Sequence, residues 1–173
     1  VFHYKNVVRI NPNQKDAWEE LLFSLLSLNN LDTLVLYSES VLELYPTNPI
    51  FYYLNSLAYY YTDNYLKSIE SVQIGVNFIV NNTNLSSEMY AILGNSYNAI
   101  SDFKNSDESY EKALEFNLAC LSLREKILGK EHPDYALSLN NLAQIYSSLG
   151  DYDKALEMNL VSEKQYTWLE KTS

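Results

Sequence analysis

The chain has 173 residues, an apolar fraction of 47% and only four Gly and four Pro, a composition that fits a helix-rich folded domain and excludes disorder. A formal charge of −10 and a pI near 4.6 supply no clustered Lys and Arg for phosphates, which argues against nucleic acid and anionic membrane as partners. Apolar runs such as Tyr59 to Tyr61 are far shorter than the roughly 20 residues that cross a bilayer.

In chain order, Val1 to Ile10 read as a helix that lacks a preceding partner, so Phe2, Tyr4, Val7 and Val8 are expected to be exposed unless something covers them. Residues 1–12 form a half-repeat in this reading, and no basic region followed by an apolar stretch opens the chain, which places any targeting signal outside it. Pro12 and Pro46 occupy equivalent places in successive units, and Trp18 and Leu21 open a helical hairpin between them, expected over 15–48. Asn48 and Pro49 are an N-cap and a helix-starting proline. They open a second hairpin over 49–86, with Tyr52, Ser56 and Tyr59 on its first helix and Tyr65, Ser68 and Gly75 on its second.

Two Asn-x-Ser/Thr sequons, Asn81-Asn82-Thr83 and Asn84-Leu85-Ser86, are expected in a loop before Ser87. A third hairpin over 87–128 carries Tyr90, Leu93, Gly94 and Tyr97, then Tyr110 and Ala113. Neither Pro nor Gly interrupts Asp102 to Leu128, so that stretch is expected to be one helix about 40 Å long at 1.5 Å per residue. After a break at Gly129 and His132-Pro133-Asp134, a last hairpin is expected over 133–171, with Gly150 and Asp151 at its turn.

These slots, an aromatic, Leu, Gly and Tyr on one helix and small residues on the next, resemble the tetratricopeptide repeat. The resemblance implies an all-α, right-handed superhelical solenoid of helix-turn-helix hairpins, with residues 1–173 as a single solenoid. Residues 1–117 follow the 34-residue type. Residues 110–160, through HPDYALSLNNLAQIYSSLGDYDKALE, are similar to the 42-residue variant of kinesin light chains, since Tyr152, Lys154 and Ala155 repeat Tyr110, Lys112 and Ala113 (155 − 113). The two frames share YEKALE and differ there by seven residues, nearly two helical turns, so one helix can serve both. A joining of two repeat types near Tyr110, natural or engineered, and an ordinary long repeat helix both fit.

In this family the first helices line a concave groove, which implies contact positions beside the slots. The N-terminal positions Asp16, Glu19, Phe23, Tyr53, Leu57 and Tyr60 are acidic, aromatic and apolar, accompanied by Leu26 and Ile50. The later ones, Glu88, Asn95, Asn98, Asn140, Asn141 and Gln144, are rich in carboxamides, which can pair with any extended main chain. No Lys or Arg stands at these positions, which argues against a clamp for a peptide's terminal carboxylate. The expected function is a scaffold that binds a protein or peptide segment of basic or apolar character. Self-assembly through exposed terminal helices, the last one through Met158, Leu160, Val161, Tyr166 and Trp168, is the alternative.

Nothing points to catalysis, a cofactor or a metal. His3 and His132 are the only histidines, His132 sits in a connector, and the glycines are too scattered for a phosphate loop. Cys120 is the only cysteine; on a helix beside Leu118 and Leu121 it is expected to be a buried packing residue.

Overall fold

The computed structural model describes residues 1–172, with side chains through Gln165 and at Thr167. The described residues are helical throughout: α1 Phe2–Ile10, α2 Lys15–Ser27, α3 Leu31–Leu44, α4 Pro49–Tyr61, α5 Tyr65–Gly75, a short 3-10 turn Val76–Phe78, α6 Thr83–Ala99, α7 Phe103–Leu128, α8 Pro133–Ser148 and α9 Tyr152–Thr172. They divide into two compact units, Val1–Val80 with Asn95–Asp102, and Asn81–Gly94 with Phe103–Ser173.

One local device repeats at the ends of α2, α4, α6 and α8. Each helix ends in a left-handed residue, Asn29, Asp63, Ser101 and Gly150, with φ of 52°, 58°, 62° and 79°. The next amide then reaches back five residues, from Asn30 to Leu25, Asn64 to Tyr59, Asp102 to Tyr97 and Asp151 to Tyr146, at 2.8 to 2.9 Å. This closure satisfies carbonyls that a helix end would otherwise leave bare, and it reverses the chain within three residues. The spacing between these turns widens along the chain, least from Asn29 to Asp63 and most from Ser101 to Gly150. That last step exceeds the 42-residue spelling by nearly two helical turns.

In the first unit the core joins Trp18, Leu21, Leu22, Leu25, Leu34, Val41, Phe51 and Leu54. Two slot aromatics are held alike: Trp18 Nε1 donates to the Pro12 carbonyl at 2.8 Å and Tyr52 Oη to the Pro46 carbonyl at 3.0 Å. Each ring thereby fills the gap beneath the chain that enters its hairpin. The helix α1 differs from expectation. Phe2 is 81% exposed, but Val8 is buried in the α2 core, and Tyr4 and Val7 pack against it, because one face of α1 lies along α2.

Two sets of hydrogen-bonded small polar side chains lie in this unit. Asn55 Nδ2 donates to Ser38 Oγ at 2.9 Å, and Ser71 Oγ donates to Asn55 Oδ1 at 2.5 Å. Ser68 Oγ bonds the Ser56 carbonyl at 2.9 Å and receives Ser96 Oγ at 3.0 Å. All six residues are buried, so the hydroxyls act as small helix-contact residues whose polarity is satisfied by neighbours.

In the second unit α6 begins at Thr83, so Asn84-Leu85-Ser86 is helical rather than in a loop before Ser87. The Asn82 side chain accepts from the Leu85 amide at 3.1 Å, and burial of Leu85 draws the extra turn onto the core. Asn84 Nδ2 is occupied by Glu88 Oε1 at 2.8 Å. The 26 residues of α7 bury one face through Ser106, Ser109, Tyr110, Ala113, Asn117 and Cys120. Both hairpins of this unit are tied by a serine hydroxyl across their helices: Ser87 to the Ala113 carbonyl at 2.9 Å and Ser162 to the Ala136 carbonyl at 3.0 Å. Farther along α7, Arg124 donates to the Asp134 carbonyl at 3.0 Å and to Ser138 Oγ at 2.6 Å, fixing the start of α8.

Candidate binding surfaces

The candidate contacts fall into two sets, one in each unit. In the first, Asp16 is exposed on the opening turn of α2, and Phe23, two turns on, is 46% exposed. Glu19 lies between them, half-buried, and its carboxylate is ion-paired with Lys15 Nζ at 3.2 Å one turn back. That pairing blunts the negative character expected at this end. Inspection of the contact positions alone could not reveal it, because Lys15 is not itself one of them.

Along α4, Ile50 and Tyr53 are half-buried and lean on the core. Leu57 is 8% exposed and is a packing residue rather than a contact, since the middle of α4, from Leu54 to Tyr59, is buried on every side. Tyr60 remains accessible and meets Tyr61 and Tyr65 edge-on, with ring centroids 5.5 and 5.7 Å apart. Asn95 is half-buried and Asn98 exposed, and the adjacent Tyr97 Oη accepts from Gln73 Nε2 at 2.9 Å. This surface is aromatic first and acidic second.

The second set is polar. Glu88 is half-buried and holds Asn84 as described, while Tyr90 beside it stacks on Phe116 at 5.7 Å. The first unit has the same stack at the same internal spacing (116 − 90, 78 − 52), Tyr52 on Phe78 at 5.7 Å. On α8, Asn140 and Asn141 are half-buried and Gln144 is exposed one turn on, flanked by the exposed Leu137 and Ser147. Among the described residues no hydrogen bond is made by the carboxamide groups of Asn140, Asn141 or Gln144, and Ser148 Oγ bonds only the Gln144 main-chain carbonyl, at 3.0 Å, so these donors and acceptors stand available along one side of the helix.

One polar cluster escaped the sequence reading. Tyr59 Oη donates to Glu39, and Lys67 Nζ lies 3.5 Å from the same carboxylate, 3.4 Å from Tyr59 Oη and 4.9 Å from the ring centroid. Burial, followed by its bond to Glu39, raises the Tyr59 pKa above that of an ordinary phenol; the Tyr59 hydroxyl foremost raises that of Lys67. The cluster joins α3, α4 and α5. No group of three potential metal ligands occurs among the described residues, and no helix there is long and apolar enough to cross a membrane.

Residues 88–166 match the family model of the tetratricopeptide repeat. Over that stretch the chain is similar to the tetratricopeptide repeat family. The structural likeness extends over nearly all of it. The crystal structure of MamA aligns at a TM-score of 0.60 and 17% identity, covering 97% of this chain and 87% of that one. YrrB, described as a TPR protein with an unusual peptide-binding site, aligns at 0.55 and 16% identity, covering 94% and 91%. BtubC (BKLC) from P. vanneervenii aligns at 0.61 and 14% identity, covering 90% of this chain and 64% of its own. At these identities the likeness is one of fold. No curated protein sequence matches the chain. The fold class is the all-α helical-repeat solenoid.

Proposed function

We propose that the chain is a non-catalytic scaffold that takes up an extended peptide or protein segment on the first helices of its hairpins. The observation that carries this reading is the row of Asn140, Asn141 and Gln144 on α8, three carboxamides accessible on one side and bonded to no other side chain. Such a row can pair with the peptide groups of a guest whatever its side chains. The peptide-binding site named for YrrB supports the same use of this fold. Phe23, Tyr53 and Tyr60 of the first unit offer aromatic surface, and Asp16 an exposed carboxylate on the opening turn of α2, to an apolar or basic segment.

An array of overlapping peptides probed with the intact chain tests this. Binding is expected to weaken when Asn140→Ala and Asn141→Ala are combined, and to shift away from basic and apolar peptides with Tyr53→Ala or Asp16→Lys. If the double amide variant, still helical by circular dichroism, keeps the wild-type pattern, the amide row is not the contact surface.

A further inference from the structure

The turn that joins α4 to α5 differs from the other turns of its kind in what stands around it. Asp63 is its left-handed residue, and Tyr60, Tyr61 and Tyr65 lie close to it in sequence on either side. At the ends of α2, α6 and α8 the places of Tyr60 and Tyr61 hold Leu26 and Ser27, Asn98 and Ala99, and Ser147 and Ser148. The left-handed residues there, Asn29, Ser101 and Gly150, are uncharged. The same backbone closure therefore forms without an aromatic pair or a carboxylate, so turn formation does not account for them.

Tyr61 and Tyr65 each meet Tyr60 edge-on, with interplanar angles of 68° and 61°, an arrangement that leaves ring faces open where a parallel stack would hide them. Tyr61 is 54% exposed, Asp63 is exposed, and Tyr60 and Tyr65 are half-buried. Tyr65 Oη donates to Asp63 Oδ1 at 2.6 Å, which holds the carboxylate beside the rings, and Asp63 Oδ2 accepts no bond among the described residues. Electron-rich ring faces and a carboxylate together attract a cation. The chain uses that attraction itself: lysine ammonium groups lie over the rings of Tyr37, Tyr59, Tyr90 and Tyr146 at 4.9 to 5.5 Å. Lys67, two residues beyond Tyr65, is engaged elsewhere, with Tyr59 and Glu39.

We propose that Tyr60, Tyr61, Tyr65 and Asp63 form a binding site for a guanidinium group, that of an arginine side chain in a bound peptide. A guanidinium is planar and weakly hydrated, so it lies flat on a ring while its N–H edge donates to Asp63 Oδ2. A lysine ammonium gives up a tighter hydration shell and offers no matching planar fork. The arginine site rests on the reading of the first unit as a peptide contact surface, and it narrows a basic segment to one side chain at one turn.

The test titrates end-blocked heptapeptides of alanine and serine, with arginine, lysine or alanine at the centre, into the intact chain carrying isotope-labelled tyrosine rings, followed by NMR. The arginine peptide is expected to bind about fivefold more tightly than the alanine peptide, with the lysine peptide between them, and to shift the ring signals of Tyr60, Tyr61 and Tyr65 saturably. Tyr61→Ala and Asp63→Asn are each expected to remove most of that preference. Both should keep the wild-type circular dichroism spectrum, since Tyr61 is exposed and asparagine already holds the left-handed place at Asn29. Equal binding of the three peptides would overturn the arginine site and leave the peptide-contact reading standing. Absence of saturable binding by all of them up to about 10 mM would overturn both for the first unit. An arginine preference that survives both variants also sinks the site, because the cation would then be held elsewhere on an acidic chain.

Discussion

Gly94 of α6 lies under the ring of Tyr110, and replacing it with alanine should be destabilising although it removes a glycine from a helix. A Cβ built there meets Tyr110 Cδ1 and Cε1 at 2.7 Å and Cγ at 3.0 Å, well inside the roughly 3.5 to 4.0 Å of favourable carbon contact. The ring cannot retreat freely, because Tyr110 is buried among Ala113, Ile145 and Tyr90. Overpacking of this kind costs about 1 to 3 kcal/mol, while the Gly to Ala change in a helix returns about 1 kcal/mol. The expected net loss is therefore about 1 kcal/mol. The corresponding pair in the preceding repeat, at the same internal spacing (110 − 94, 72 − 56), is Ser56 with Val72, a larger residue opposite a smaller one. Combining Gly94→Ala with Tyr110→Val should thus turn the alanine from harmful to helpful, a coupling of about 2 kcal/mol. Urea unfolding of the four proteins, followed by far-ultraviolet circular dichroism, measures it. If Gly94→Ala stabilises equally in both backgrounds, the close packing of Gly94 on Tyr110 is not what selects glycine there.

Ser38, Asn55 and Ser71 of the first unit should behave as one device: Asn55→Ala strips partners from Ser38 and Ser71 together, and urea unfolding should show a loss of about 2 kcal/mol or more. For Tyr59 the sign follows from its raised pKa. The folded state holds the phenol proton more tightly, so this stabilisation is complete below about pH 10 and is lost as pH rises through the higher folded value. Lys67, also raised, acts in the same direction. Tyr59→Phe should therefore show a shallower fall in denaturation midpoint than the parent as pH rises above about 10; parallel curves would refute the assignment. Arg124→Met should release the start of α8, seen as faster amide hydrogen exchange near Asp134 to Ser138 while exchange around Ile145 is unchanged.

Hairpin order and the boundaries of α4, α7 and α8 were legible because their signals are local. Asn48 accepts from the Ile50 amide ahead of Pro49, and His132 caps Pro133 in the same way, so neither start depends on distant packing. Cys120 is buried as its apolar flanks implied. The start of α6 was misread because Thr83 and Asn84 look like loop residues, and the buried Leu85 was the deciding feature. Tyr166 and Trp168, singled out on the last helix, have side chains outside those described.

By itself the sequence determined the all-α helical-repeat fold class, since this follows from turn residues, slot spacing and helical periodicity. Tertiary structure decided what each face meets. It buried Leu57, a contact position that the family resemblance implied, and sheltered Val8 under α2. It also tied Glu19 to Lys15 and buried Tyr110 where the equivalent Tyr152 is exposed. The physical reason is that burial and pairing depend on neighbours brought together by folding, and a helix sequence specifies which side is apolar without specifying what covers it.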